Sequence, residues 1–410
     1  MKFNTSLLHG KSTKSYADHS TLPPIAQVSA FGYESAQEQE KVFQHKAFGY
    51  AYTRIGNPTL TAFEQRISDI EHATGGVACS SGMAAVTISL LNVLTTGDEI
   101  ITTSNLYGGT LDLFKDLEKF GIKTNFVSEL NPEQLDKYFN EKTKVIFGEV
   151  VSNPALQVLD IETVAGYAHE RSIPLIVDAT TVTPYVIRPI DHGADIVVHS
   201  SSKYINGSGN SISGIILDGG RFKWDFEKFP ALAEFKRYGN MAYLVRLKTD
   251  LWENFGSCLA PFNAYLNVIG LETMGLRVEQ INKNAKALAK ALSEIDGVKV
   301  SHLSLEDHPY YELCQKQLGG YGGGILTFRV GSKEKAYKTL NALKYVTIAS
   351  NIGDVRTLAI HPRSTLYIKS SDEEAAAAGV YDDTIRVSVG IEDSEDLIED
   401  FRQAIEQSQN

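Results

Sequence analysis

PLIVD at 174–178 and DIVVHSSSK at 195–203 decide how this chain is read. Each is a short β-branched run that ends in polar residues, as a buried strand does when its carboxyl end opens onto a site. Asp178 closes the first run, and Ser200, Ser202 and Lys203 follow the second. Similar runs lie on both sides: EIITT at 99–103, KTNFV at 123–127, KVIFGEV at 144–150 and GIILDG at 214–219. Helix-capable stretches separate several of them. This alternation predicts crossover units on a mostly parallel sheet, an α/β fold. The connection from Lys203 to GIILDG is short, so that last strand is open to antiparallel pairing.

Before the sheet, TLTAFEQRISDIEHA from 59 reads as an amphipathic helix and MAAVTISLLNVL from 83 as a largely buried one. Residues 1–58 read as an irregular polar arm, with PP at 23–24 and NP at 57–58. Its aromatics (Phe31, Tyr33, Phe43, Phe48, Tyr50 and Tyr52) are expected to pack, with another subunit as one candidate surface, since a disordered tail carries fewer. After 256 the periodicity suggests one or two long helices, then strands at GILTFRV, VTIAS and TIRVSVG and a terminal helix near 394–406. The expected division is an arm at 1–58, a large domain at 59–255, and a smaller C-terminal α+β domain with its linking helix at 256–410.

The chain has 410 residues, is 43% hydrophobic and carries a formal net charge of -11. That is enough for a large core, and the acidic balance, with no basic stripe, argues against nucleic acid. MKFNTSLLHG lacks a leader pattern and no run reaches transmembrane length, so no membrane partner and a cytoplasmic setting are expected. Cys79, Cys258 and Cys314 are too scattered for a disulfide framework or a CxxC pair and read as reduced small side chains. Cys79, just before an expected helix start, is a candidate for reactivity. The histidines form no HExxH or other paired metal pattern, so no metal is expected.

An acid, hydroxyls and an amine at neighbouring strand ends suit a pyridine ring, a phosphate and an aldehyde, which together suggest pyridoxal phosphate. Lys203 is the candidate to bond the cofactor carbonyl. Asp178 would pair with a protonated ring nitrogen, or cap the next segment. Ser81, Gly82 and Met83 lead into an apolar helix whose free N–H groups suit a phosphate; an ordinary serine N-cap is the rival reading. Ser200 and Ser202 add hydroxyls. Thr180 either touches the ring or the acid or is a plain turn residue, and Asn153, before Pro154, either bonds the ring's phenolic oxygen or punctuates a turn. Tyr107, in NLYGGT, can stack on a flat ring or pack in its loop. Tyr52 and Arg54 would complete a phosphate site if the arm crosses to a neighbour. Arg386, inside the strand run TIRVSVG, suits a substrate carboxylate, with Arg356 a weaker candidate and Ser350 an accessory. His199 is expected to make a structural hydrogen bond.

Taken together, YTRIGNPT at 52–59, SSGMAA at 80–85, NLYGGT at 105–110, VDAT at 177–180, HSSSKY at 199–204, IGDVRTLAIHP at 352–362 and IRVSVGIED at 385–393 resemble the Cys/Met-metabolism family of pyridoxal-phosphate enzymes, nearly end to end. The resemblance implies the aspartate-aminotransferase-like fold. It implies Lys203 as cofactor lysine and proton shuttle, Asp178 as ring partner, and Gly82, Met83, Ser200 and Ser202 as phosphate cradle. Tyr52 and Arg54 would come from the adjacent subunit, Tyr52 also touching substrate; Tyr107 would be the stacking tyrosine and, with Lys203, a catalytic acid–base residue; and Arg386, aided by Ser350 and Asn153, the substrate-carboxylate clamp. A tetramer of catalytic dimers is the implied assembly. Within the family, GRFKWDFEKFP at 220–230, PFNAYLNVIGLETMGLR at 261–277 and the IGD loop are similar to O-acetylhomoserine sulfhydrylases. These imply γ-replacement of acetate by sulfide or a thiol. The alternatives are cystathionine γ-synthase, γ-lyase or methionine γ-lyase activity on the same scaffold, β-replacement on O-acetylserine, or a non-catalytic binding protein. The chain departs from the family wording at Ser202, Ser208 and Arg363, which are expected near the mouth of the site.

Overall fold

The β-branched runs of the first half assemble into one seven-stranded sheet. The computed structural model describes residues 1–10, 16, 19–44 and 46–409. Its large sheet comprises β1 (Gly75–Cys79), β2 (Glu99–Thr103), β3 (Lys123–Val127), β4 (Thr143–Glu149), β5 (Leu175–Asp178), β6 (Ile196–His199) and β7 (Gly214–Asp218), in the order β1-β7-β6-β5-β4-β2-β3. From β3 to β6 all neighbours are parallel. β7 runs antiparallel to both β6 and β1, and the 200–213 connection holds turns and no helix that could make a crossover. β6 and β7 are buried along their whole length, which is why they read as unbroken apolar runs. β1 escapes a sequence reading: GGVAC opens on two glycines, a residue depleted in strands, and pairs with β7 far along the chain.

The register sets the site. Glu149 of β4 lies opposite Asp178 of β5, and Asp178 lies opposite Val198 of β6. The carboxyl ends of three neighbouring strands are therefore level and open onto one edge.

The second sheet comprises β8 (Lys299–Ser301), β9 (Ile325–Arg329), β10 (Thr347–Ile348), β11 (Leu358–Ile360) and β12 (Thr384–Ser388), ordered β10-β11-β12-β9-β8. Only the β10–β11 pair is parallel. The Met274–Ser293 and Ser394–Gln409 helices cover it, closing a second core around Leu288, Phe328, Val387 and Phe401. The Pro261–Glu272 helix and the start of its successor pack instead on the first core, through Ala264, Val268 and Ile281. β8 and β11 are three residues long, too short to show alternation in sequence.

The arm is more regular than its composition suggests. It holds two short helices, Phe3–His9 and Ala36–Phe43, the second capped by Ser35 accepting from the Glu38 N–H. Residues 11–15, 17–18 and 45 of the arm lie outside the described residues. Phe31, Phe48 and Tyr50 pack on one another, while Phe43, Phe48 and Tyr52 keep large exposed surfaces. The reactivity expected of Cys79 is corrected by its place in β1: it is fully buried, and burial, with Glu64 nearby, pushes the thiol well above its ordinary range. Among the described residues no helix is long and apolar enough to cross a membrane.

The two sheets are joined near Lys203 by one buried cation. Arg277 donates to the carbonyls of Tyr204 (2.7 Å), Ile205 (3.1 Å) and Gly270 (2.6 Å). Burial alone lowers its guanidinium to about 10. Arg277→Met keeps the apolar stem and strands three carbonyls. Denaturant unfolding should show a loss on the order of 3 kcal/mol; an unchanged midpoint would remove Arg277 from this role.

Candidate active site

The level strand ends of β4, β5 and β6 form the floor of a cavity, and the second sheet supplies its far wall. Lys203 sits in the turn after β6, its N–H donating to Ser200 O (3.1 Å) and its carbonyl accepting from Gly207 N (2.8 Å). The side chain enters the cavity half-buried, and Nζ donates to Asn351 Oδ1. Burial, then the nearby Arg386 guanidinium, lowers the amine below the usual lysine range. Such an amine loses its proton more readily and is the better nucleophile for a carbonyl.

Asp178 closes β5 on the same floor, accepting from Thr180 N (2.8 Å). Burial raises its carboxyl above the ordinary value, with Thr180 and His199 opposing the shift. A buried carboxylate in this state calls for a cationic partner, and a protonated ring nitrogen is one. Thr180 Oγ1 in turn accepts from Ser200 N (2.8 Å), tying the two strand ends together.

The Gly82–Leu91 helix points its first turn at the cavity. Ser81 is its N-cap, accepting from Ala84 N (3.0 Å), so both readings of this serine hold at once: it caps the helix and lines the cavity. Gly82 and Met83 line it too, their helix-start N–H groups being of the kind left without intrahelical acceptors. Gly82 has no room for a side chain: a Cβ there would lie 2.5 Å from Ser200 Cβ. Ser200 and Ser202 both line the cavity, but Ser202 Oγ is already engaged with Ser213, donating to its carbonyl (3.0 Å) and accepting from its N–H (2.7 Å).

Arg386 of β12 is 1% exposed. It donates to Asn351 O (3.0 Å) and reaches Asn153 Oδ1 at 3.5 Å, while its Nε has no partner among the described residues. Burial lowers its guanidinium to about 10. An anion in the cavity would satisfy the orphaned donor and restore the charge balance. Asn153, Ser350 and Tyr107 line the same cavity. The Tyr107 ring is largely exposed on its open side. The residues present thus fit a group with a ring nitrogen, an aldehyde and a phosphate: an acid short of a cation, a lysine with a depressed pKa, and a helix start closed to side chains.

Other candidates fall outside. In the single chain Tyr52 and Arg54 do not reach the cavity: Arg54 donates to Glu253 O (2.9 Å) and lies 5.5 Å from the Tyr52 ring. Arg356 is bridged to Asp354 (3.2 Å). Ser208 is exposed in the loop beside the cavity, its N–H on Asn206 Oδ1 (3.1 Å), and Arg363 is bound to Tyr367 O (2.6 Å) and Asp372 (2.7 Å); neither lines the cavity. His199 is structural, its Nε2 2.6 Å from Glu71 Oε1. Two residues of the site were missed in sequence. Asn351 lies in a loop with no periodicity. Glu149 ends β4 as Asp178 ends β5, and that shared pattern was the available signal.

Three comparisons place the chain. A family model described as Cys/Met metabolism PLP-dependent enzyme matches residues 4–406. Homocysteine synthase of Schizosaccharomyces pombe is 39% identical, over 98% of this chain and 98% of that protein. O-acetyl-L-homoserine sulfhydrylase of Corynebacterium glutamicum is 38% identical, over 97% of this chain and 95% of that protein. The crystal structure of a protein described as an O-acetylhomoserine (thiol)-lyase of Campylobacter jejuni superposes with a TM-score of 0.94 at 32% identity, covering 99% of this chain and 100% of that one; it contains a pyridoxyl-lysine monophosphate.

The tight approach of Gly82 to Ser200 makes a direct test. Gly82→Ala should weaken pyridoxal phosphate binding at least about tenfold in an absorption titration while leaving the fold intact, since only the phosphate end is disturbed. Unchanged affinity would show that the helix start is not the phosphate seat.

Proposed function

The chain belongs to the Cys/Met-metabolism family of pyridoxal-phosphate enzymes, and from that membership we propose that it converts O-acetyl-L-homoserine and sulfide, or a thiol, to L-homocysteine, or methionine, and acetate. The observation that carries the reading is the shared cavity of Lys203 and Arg386, an amine and a carboxylate clamp joined through Asn351. Full-length likeness to proteins named for this reaction supports the choice of substrate.

Each residue then has work to do. Arg386 receives the substrate α-carboxylate in its bidentate fork and so fixes the amino acid in the cavity. Asp178 holds the proton on the ring nitrogen. The Gly82–Leu91 helix start and Ser200 seat the phosphate, with Ser202 holding the 200–213 turn to the backbone of Ser213. Tyr107 would stack on the ring face, and Asn153 would bond its phenolic oxygen. Bound pyridoxal phosphate supplies an aldehyde for the substrate amine and a ring that takes up the electron pair when the Cα–H bond breaks. Lys203 Nζ is placed to take the α-proton and to return it at the end. Its lowered pKa suits it to both transfers. The same amine would take a β-proton so that acetate can leave from the γ-carbon, hydrosulfide would add there, and the β-proton would go back to the β-carbon before the α-proton is returned. Walls of Val86, Val151 and Ile352 limit water, and so limit hydrolysis to 2-oxobutanoate.

The reading includes Tyr52 and Arg54 of an adjacent subunit at the phosphate, a tetramer of catalytic dimers in the cytoplasm, and the division into arm, large domain and small domain at 58 and 255. The exposed Tyr52 and Phe48 of the arm support such an association.

Incubation of the holoenzyme with O-acetylhomoserine, with and without sulfide, tests the activity. Homocysteine and acetate should form in equal amounts only with sulfide. If 2-oxobutanoate dominates with sulfide present, the enzyme is a γ-lyase. Arg386→Lys should cut kcat/KM for O-acetylhomoserine roughly 10- to 100-fold, from the loss of about 1.5–3 kcal/mol of charge-assisted hydrogen bonding, while leaving cofactor binding in place. Unchanged kcat/KM would move the carboxylate elsewhere.

A further inference from the structure

We infer that Glu149 is the positioning residue of this site, pinning Tyr107 and Asn153 through their main-chain N–H groups, the shorter bond, to Tyr107, being one that an amide oxygen can take over. The inference rests on the proposed placement of Tyr107 on the cofactor ring and of Asn153 at its phenolic oxygen.

The geometry is that of one carboxyl group serving two loops. Glu149 Oε1 accepts from Tyr107 N (2.7 Å) and Oε2 from Asn153 N (3.3 Å). The acceptor is on a strand and the donors are not. Glu149 is the last residue of β4, fixed by its register with Asp178, whereas Tyr107 opens the Gly108–Glu118 helix with no side-chain cap and Asn153 lies in the loop after β4. Tyr107 needs such an anchor. Its ring folds back over Gly109, where a Cβ would lie 2.6 Å from Cε1, so the ring angle follows the main chain at 107–109. With the N–H released, the Tyr107 main chain is held only from its carbonyl side, by the N–H groups of Thr110 (2.9 Å) and Leu111 (3.1 Å).

The charge follows from the neighbours. Glu149 and Asp178 face the same floor from adjacent strands, and both cannot carry a negative charge cheaply. Asp178 is the one with a use for its charge. Burial, then Asp178, pushes the Glu149 carboxyl well above the ordinary range, against the pull of the two N–H donors. From the other elements, Tyr367 is within electrostatic reach of Glu149, and Lys203 and Arg386 line the same cavity. A neutral carboxyl has one strong acceptor oxygen, in keeping with the shorter contact to Tyr107 and the longer one to Asn153.

Glu149 is also a partition. Behind it is a second cavity, bounded by Thr103, Glu129, Ser152 and Tyr310, and the Glu149 side chain belongs to the wall of both. Truncating it would join the two and bring water to the floor of the site.

The test compares Glu149→Gln, Glu149→Asp and Glu149→Ala with wild type in holoenzyme form. The readouts are visible circular dichroism of the bound cofactor, its dissociation constant, kcat and KM separately, and the yield of 2-oxobutanoate. E149Q keeps the Tyr107 acceptor and should stay within about threefold of wild type in kcat, with the dichroic band intact. E149D is too short to reach both loops, and E149A has no acceptor. Both should lose at least about 30-fold in kcat with little change in KM, show an altered band, and in E149A divert more substrate to 2-oxobutanoate. An E149D enzyme close to wild type beside a crippled E149Q would mean that the charge matters, and would overturn the inference. So would dichroism and kcat unchanged in all three. If E149A does not fold, the order of E149Q and E149D still decides. A wild-type protein that holds no cofactor would instead overturn the reading beneath.

Discussion

Two cations, the Lys203 amine and the Arg386 guanidinium, face one cavity and hang on a single residue, Asn351. The rest of the structure follows from keeping them there. Burial loosens the hold of both on their protons, and Arg386 lowers the lysine further. At the lysine this is useful, because a nucleophile and proton carrier must lose its proton near neutrality. At the arginine it leaves a charged fork with an unmatched donor, a standing attraction for a carboxylate. The large sheet delivers one cation and the small sheet the other, so the junction between them is part of the chemistry. Arg277 under the Lys203 turn fastens that junction, as does Gly353, which packs its backbone directly on Tyr204.

The acids are arranged by the same logic. Parallel register levels the ends of β4 and β5 and puts Glu149 beside Asp178. One carboxyl can remain charged for a ring nitrogen, and the other then serves as a neutral anchor. Similar side chains at equivalent strand ends acquire different tasks from their surroundings.

Much of this was legible in the sequence, for physical reasons. A parallel strand buried on both faces must be apolar throughout, so a charged or hydroxyl residue at its end stands out, and Asp178, Ser200 and Lys203 did. Arg386 stood out because a charge inside a strand run is costly without a partner. Glu149 was passed over because KVIFGEV runs on into apolar valine and hides its end. Asn351 follows a two-residue strand and acts through a fold-level contact to Lys203 that no local pattern encodes. The glycines of β1 and the three-residue strands of the small sheet carry too little periodicity to be read. Ser208 and Arg363 are expected near the mouth because they depart from the family wording there; in the structure they do not line the cavity and are bonded to Asn206, Tyr367 and Asp372. Arg54 is turned toward Glu253 in the single chain, and any part it takes in a site depends on a neighbour.

The central claim is that Lys203, held in this environment, is the residue that bonds the cofactor. Borohydride reduction of the holoenzyme followed by peptide mass mapping tests it directly. The account predicts one pyridoxyl phosphate adduct, on the peptide that contains Lys203. An adduct on another lysine, or none in protein shown to have bound the cofactor, would contradict it.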